Sequence, residues 1–129
     1  MIAGSLGWLN RPMHRVEFER IVDRVLDSLP DWVVEQIDNL IVEVAEEPTP
    51  EQDPRGEGLL GLYDGVSLHD RAGDYWGAMP DSIWIFRQPH LRLGLSRAEL
   101  EDEIRVTVLH ELAHHLGIDD QRLHELGWD

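Results

Sequence analysis

The chain contains no cysteine and no lysine among its 129 residues, and each absence removes a class of function. Without cysteine there can be no disulfide, no thiolate chemistry and no cysteine-based zinc site. Any metal must therefore be held by histidines and carboxylates, and such sites more often keep an open coordination position than close it. The lack of cysteine also fits a cytoplasmic protein, which is the location we expect.

Positive charge is scarce as well. The 11 basic residues are all arginines, and 26 acidic residues oppose them, so the formal net charge is -15. A surface of this sign repels phosphate backbones, and we therefore expect no nucleic-acid partner. It would instead attract cations or basic segments of other proteins, although acidity can equally serve solubility alone.

Long apolar runs are missing too. No stretch approaches the roughly 20 apolar residues that a membrane-spanning helix needs, so no membrane partner is expected. The first ten residues lack the basic start and the long apolar core of a signal peptide. The length suits one domain over residues 1–129, with residues 1–12 as a flexible N-terminal segment.

Hydrophobic periodicity predicts the secondary structure. Apolar residues at helical spacing indicate helices at 14–29 and 32–38, the first of which Pro30 ends. Alternating or β-branched runs predict strands at 40–44, 59–63 and 82–87, with Pro89 closing the last one. The glycine- and proline-rich stretch from Pro48 to Pro80 is predicted to be mostly turns.

The most informative element is a helix predicted over 97–116. Ser96 and Glu99 form a capping-box pattern at its start, and Gly117 is suited to the left-handed residue that ends it. The second half of this helix is apolar nearly all round, as a buried helix would be. A short last helix is predicted at 119–126.

The buried half contains the sequence HELAHHLGIDD. His110 and His114 lie four residues apart, so one helical face presents both imidazoles to a single ion, Zn²⁺ or another divalent metal. Glu111 projects about 100° away from His110 and can reach a water on the open side of the metal. The turn at Gly117 can bring Asp120 to the same ion as a third ligand.

A different role remains open for each of these residues. Asp120 could instead cap the last helix, in which case Asp119, His124 or Glu125 would supply the third ligand. His110 and His114 could also be hydrogen-bonded core histidines.

The remaining histidines are not expected to bind the metal. His115 points away from the face of the two candidate ligands and is expected to have a supporting or structural role. The sequence places His14, His69 and His90 singly, and we expect them at the surface.

The motif, in HExxHxxGxxD form, resembles that of the zincin metallopeptidases. Most of the chain is similar to a minimal zincin-like family of small bacterial proteins, through LLGLYDG at 59–65, the strand SIWIF, and RVTVLHELAHHLGIDDQRLHELGW. The resemblance implies an α+β minimal zincin-like fold, in which a small mixed β-sheet packs against the long motif helix and the N-terminal helices. It also implies that His110, His114 and Asp120 bind zinc and that Glu111 is the catalytic base.

Two features depart from the larger zincins. No methionine follows Gly117, so the Met-turn of the metzincins is missing. Only 12 residues follow that glycine, whereas larger zincins use a C-terminal subdomain to build part of the substrate cleft.

The function we predict is zinc-dependent hydrolysis of peptide bonds in a peptide or protein substrate. Tyr63, Tyr75 and Arg87 are candidates to stabilise the oxyanion or to contact substrate. The strand at 82–87 could act as an exposed edge that pairs with an extended peptide. Two rival functions are a non-catalytic metal-binding or protein-interaction module and a metal-dependent RNA hydrolase, and the acidic charge counts against the second.

Overall fold

The computed structural model describes residues 13–66 and 80–129. The predicted flexible segment 1–12, the candidate Tyr75 and His69 lie outside these ranges. The helices and strands, in chain order, are α1 (Arg15–Asp27), α2 (Asp31–Gln36), β1 (Leu40–Ala45), β2 (Gly61–Asp64), β3 (Asp81–Phe86), α3 (Arg87–Leu91), α4 (Arg97–Leu116) and α5 (Asp120–Glu125).

The three strands form one small mixed sheet in the order β1-β3-β2. Strand β3 pairs with β1 in parallel and with β2 in antiparallel orientation. The architecture is therefore α+β, in agreement with the fold that the resemblance implied. The prediction that residues 82–87 form an exposed edge is wrong, because β3 is the central strand and both of its edges are already hydrogen-bonded.

The motif helix α4 begins and ends where the sequence predicts. Ser96 and Glu99 form the reciprocal capping box, with Ser96 Oγ accepting from Glu99 N at 3.2 Å and Glu99 Oε1 accepting from Ser96 N at 3.0 Å. These bonds satisfy two backbone donors that the first helical turn would otherwise leave free. At the other end Gly117 adopts φ 72°, a left-handed conformation that costs glycine little.

The core lies where α4 packs on the sheet and on α1. Alternate residues of β3 face it, and Ile83 and Ile85 are fully buried. From α4 the fully buried Ile104, Val108 and Leu112 pack against them. Each such side chain contributes on the order of 1.5–3 kcal/mol when it leaves water. The helix that carries the motif is therefore anchored along one whole side.

Helix α3 is an element that no sequence pattern predicts. Pro89, expected to close a strand, is instead the third residue of this five-residue helix. Proline is tolerated there because the amide groups of the first helical turn have no partner within the helix. None of the helices in the described ranges is both long and apolar enough to cross a bilayer.

Candidate metal centre

The structure brings the two histidines and the glutamate of the motif together on α4. One ligand atom from each of His110, Glu111 and His114 lies within 4.8 Å of the other two. The two imidazole rings are 4.7 Å apart between centroids and inclined by 70°. This spacing is what one turn of helix imposes on residues four apart, so it follows directly from the sequence.

The four histidines between residues 90 and 115 differ in how their ring nitrogens are used. His90 and His115 are fully buried, and both nitrogens of each ring are hydrogen-bonded. His110, by contrast, makes no hydrogen bond or ion pair with any residue in 13–66 or 80–129. The ring nitrogen of His114 meets the Glu111 carboxylate, at 3.2 Å. The two motif histidines therefore retain nitrogen lone pairs for another ligand.

Glu111 is buried, with a side chain only 11% exposed, and lies between the helix and the sheet. The backbone of β2 approaches it so closely that a Cβ atom added at Gly61 would stand 3.2 Å from the Glu111 Cγ. The same added atom would be 2.7 Å from Cγ2 of Thr107, one turn earlier on α4. A glycine at this point of β2 is therefore what allows the strand and the glutamate to lie side by side. No pattern in the sequence indicates this contact.

Asp120 is not part of the three-residue cluster and is exposed at the start of α5. The residue that caps α5 is its neighbour Asp119, whose Oδ1 accepts from the Arg122 amide at 2.8 Å. Within the described part of the chain, the Asp120 carboxylate has no hydrogen bond or ion pair.

Two further residues that could supply a third ligand are engaged elsewhere. His124 Nδ1 lies 2.8 Å from the Asp129 carboxylate, and Glu125 pairs with Arg122. Of the four candidates, Asp119, His124 and Glu125 each have a hydrogen bond or ion pair with a described residue. Asp120 is the one candidate that has neither among the described residues.

Behind the motif lies a buried polar group that the sequence did not reveal. Asp81, the first residue of β3, is 3% exposed. Its Oδ2 accepts from the Tyr63 hydroxyl at 2.6 Å and lies 2.9 Å from Nδ1 of His115. The phenol of Tyr63 thus donates to Asp81 in this structure. His115 is fully buried and bonded at both ring nitrogens, which fits the supporting or structural role expected from the sequence.

The partners of Arg87 in the described chain lie outside the motif. Its guanidinium donates twice to the carbonyl of Met13, at 3.0 and 2.7 Å, and once to Glu46 at 2.6 Å. A hydrogen bond from Gln88, followed by the hydrogen bond and charge of Arg87, lowers the pKa of Glu46. Arg87 therefore links Met13, the first described residue, to Glu46, which follows β1.

The prediction that His90 lies at the surface is wrong. The ring is fully buried, with Nδ1 2.6 Å from the carbonyl of Phe86 and Nε2 2.9 Å from the hydroxyl of Thr107. Burial lowers the pKa of His90, although the Phe86 carbonyl opposes this by favouring the charged form. In a neutral ring that donates to Phe86 from Nδ1, Nε2 faces the Thr107 hydroxyl, which also lies 2.9 Å from the carbonyl of Glu103. His90 lies in a short helix outside any periodic pattern, so nothing local marks it as a core residue. His14, by contrast, is exposed as predicted.

These residues fit a divalent cation. Two imidazoles and a nearby carboxylate are ligand types that zinc accepts, and the sequence offers no thiolate to compete with them. One side of the cluster faces solvent, since the His114 side chain is 47% exposed. The arrangement therefore suits a metal with an accessible coordination position better than a closed structural site.

Comparisons with known proteins identify the family of the chain. No curated protein sequence matches the chain. Among solved structures, a conserved hypothetical protein from Thermus thermophilus has a similar fold, with a TM-score of 0.56 and 22% sequence identity, over 90% of this chain and 100% of that one. The model of the zincin-like metallopeptidase family matches residues 37–128, a range that includes the whole motif. The chain therefore belongs to the zincin-like metallopeptidase family.

Proposed function

We propose that the protein is a zinc-dependent metallopeptidase that hydrolyses peptide bonds in a peptide or protein substrate. The single observation that carries this proposal is the cluster of His110, Glu111 and His114, whose ligand atoms lie within 4.8 Å of one another on one helix. Membership of the zincin-like family supports it. The two histidines hold the metal, and Glu111 is the acid–base group.

The chemistry needs a nucleophile, a proton carrier and a place for the substrate. A bound Zn²⁺ supplies the Lewis acid that lowers the pKa of water to about 7 and polarises the substrate carbonyl. Glu111 removes a proton from the attacking water and delivers it to the leaving amine. Its burial against Gly61 limits the motion of the carboxylate, which keeps it oriented for both transfers.

Asp120 is the third ligand in this proposal. Its support is that Asp119, rather than Asp120, caps α5, so the Asp120 carboxylate is not used in holding that helix. The turn at Gly117 lies between it and the two histidines, and an exposed carboxylate at a helix start can change rotamer at little cost.

The substrate in this proposal lies along β2. Among the described strands β2 is an outer one, and it packs beside Glu111 through Gly61. A peptide held beside Gly61 would lie close to Glu111 and the metal centre. A nucleic-acid substrate fits less well, since eight of the nine described arginines already pair with acidic side chains.

Metal analysis combined with a cleavage assay tests the proposal. Protein purified without chelator or nickel resin should carry near-stoichiometric zinc, and His110→Ala should lose it. His14→Ala is the matched control, because that exposed histidine precedes α1 and lies outside the cluster. Equal trace metal in all three proteins would refute the site.

The cleavage assay separates an enzyme from a non-catalytic metal-binding module. The protein is incubated with a peptide library, and the products are identified by mass spectrometry. Glu111→Gln should retain zinc and lose cleavage, because the amide cannot carry the proton. Zinc binding without any cleavage by the wild type would favour the non-catalytic module, and cleavage of RNA in place of peptides would favour the RNA hydrolase.

A further inference from the structure

The carboxylate of Asp81 joins three elements around the metal centre. Asp81 begins β3, Tyr63 lies on β2, and His115 lies in the last turn of α4. One oxygen, Oδ2 of Asp81, meets both the Tyr63 hydroxyl at 2.6 Å and His115 Nδ1 at 2.9 Å. The sheet and the motif helix are thus linked through a single buried atom.

The ring of His115 is held at both nitrogens. The amide of Asp38 donates to Nε2 at 3.3 Å, so this nitrogen carries the lone pair. Nδ1 then carries the proton and donates to Asp81. With both nitrogens bonded and the ring fully buried, His115 fixes the rotation of the helical turn that also presents His114.

The ring of Tyr63 also lies beside His114, the proposed metal ligand. Its ring lies 6.4 Å from the His114 ring and 6.0 Å from the His115 ring, measured between centroids. The hydroxyl bond to Asp81 holds the phenol in this position beside the two imidazoles. The His114 side chain is about half exposed, so few other groups restrain it. The neighbouring Tyr63 ring therefore limits the rotamers that the His114 imidazole can adopt.

The backbone after β2 encloses the other oxygen of Asp81. The Val66 amide donates to Oδ1 at 3.4 Å. A Cβ atom added at Gly65 would overlap Oδ1 and Cγ of Asp81, so only glycine permits this approach. A buried carboxylate costs free energy unless several donors satisfy it, and here the donors come from both the sheet and the motif helix.

We propose that Asp81 is a positioning residue for the metal centre: by holding Tyr63 and His115 it sets the orientation of the ligand His114. The proposal rests on the proposed zinc-binding function. Asp81 is not a member of the three-residue cluster, and its effect passes through the two rings that it binds.

Metal titration of four variants tests this inference. Zn²⁺ affinity is measured by competition with a chromophoric chelator, and Co²⁺ absorption bands report the ligand geometry. Tyr63→Phe removes only the hydroxyl, and Asp81→Asn keeps the shape of the side chain. Gly65→Ala displaces the Asp81 carboxylate without altering it and replaces Asp81→Asn if that variant does not fold. Ile104→Val is the control, since this fully buried residue of α4 lies more than one turn before His110 and is expected to cost only stability.

The expected result is a loss of zinc affinity of roughly tenfold in the first three variants, with shifted cobalt bands, as for other groups that orient metal ligands. The control should keep the affinity and spectrum of the wild type. Unchanged affinity and spectra in Tyr63→Phe and Asp81→Asn would overturn the positioning role and leave the proposed function intact. An equal loss in the control would also overturn it, because the effect would then reflect stability alone. Absence of metal binding by the wild type would refute the proposed function and the inference with it.

Discussion

Gly61 of β2 lies directly against Glu111 of α4. A methyl group at Gly61 would stand 3.2 Å from the Glu111 Cγ and 2.7 Å from the Cγ2 of Thr107. Both distances are shorter than a comfortable carbon–carbon contact of about 3.5–4.0 Å. The strand and the acid–base residue of the proposed reaction therefore share one tightly packed interface.

Gly61→Ala is expected to reduce peptide cleavage more than zinc binding. The added methyl pushes on Glu111, whereas neither His110 nor His114 is among the atoms nearest to it. Overpacking of this kind costs about 1–3 kcal/mol of stability. Chemical unfolding, zinc titration and kcat for a cleaved peptide measure the three effects separately.

Gly94→Ala is the control for that variant. Apart from the two neighbouring residues, no atom of the described chain lies within 4 Å of a Cβ added at Gly94, but its φ of 69° is unfavourable for alanine. The substitution should therefore cost on the order of 1 kcal/mol without reaching the site. A wild-type kcat in Gly61→Ala would contradict the expectation that the added methyl disturbs Glu111.

Substitutions of the adjacent residues Asp119 and Asp120 are expected to have different effects, because the first caps α5 and the second is the proposed metal ligand. Asp119→Ala removes the cap of α5 and should cost about 1 kcal/mol of stability while zinc affinity is retained. Asp120→Ala should lower zinc affinity and leave stability unchanged, because the Asp120 carboxylate makes no hydrogen bond or ion pair with a described residue. Thermal unfolding of the apo-proteins and zinc titration provide the two readouts. Wild-type zinc affinity in Asp120→Ala would show that this aspartate is not a ligand.

His90 makes stability depend on pH near neutrality. Its pKa is lowered by burial in the folded protein, below the ordinary value of 6.5. The unfolded chain therefore takes up the proton first, so the stabilisation is complete above about pH 6.5 and is lost as the pH falls below it. The slope contributed by one such group is at most about 1.4 kcal/mol per pH unit.

His90→Gln should remove this contribution. Urea unfolding of both proteins between about pH 5 and 8 should give curves that converge on acidification, because only the wild type has the buried imidazole to lose. The remaining histidines are common to the two proteins and cancel in the difference. Two curves that stay parallel over this range would count against the assignment.

Arg87→Gln is expected to lower stability and leave the metal centre unchanged. The substitution removes the hydrogen bonds to the Met13 carbonyl and the ion pair with Glu46, which together should contribute about 1–2 kcal/mol. The pKa of Glu46 is lowered in the folded state, so this stabilisation is present above its ordinary value of 4.5 and fades as the pH falls through the lowered one. Unfolding at neutral and acidic pH, with zinc titration alongside, measures both. A large loss of zinc affinity would instead support a direct role at the site.

Local patterns predict the motif helix well. The capping box at Ser96, the apolar periodicity and Gly117 are all short-range signals, and the structure has α4 over the predicted residues. The closeness of His114 to His110 and to Glu111 follows from the same helical geometry, because residues four and three apart are neighbours on the helix surface. Strand positions are also predicted to within two residues, because β-branched and alternating residues mark them.

Patterns along the chain are less informative about partners distant in sequence. The strand containing Ile83 is predicted, but its central position in the sheet depends on pairing with β1 and β2, which local alternation does not encode. An isolated histidine is usually at the surface, which is why exposure is predicted for His90, whereas packing of α3 against α4 buries it.

The motif helix, its two ends and the common face of His110 and His114 could all be read from the chain, because each depends on residues within a few positions of one another. The meeting of Gly61 with Glu111, and of Asp81 with Tyr63 and His115, became visible only in the folded protein. Each of these contacts joins residues at least 18 positions apart. Burial of the core brings such residues together as the sheet and helix pack, and no local propensity records which of them will meet.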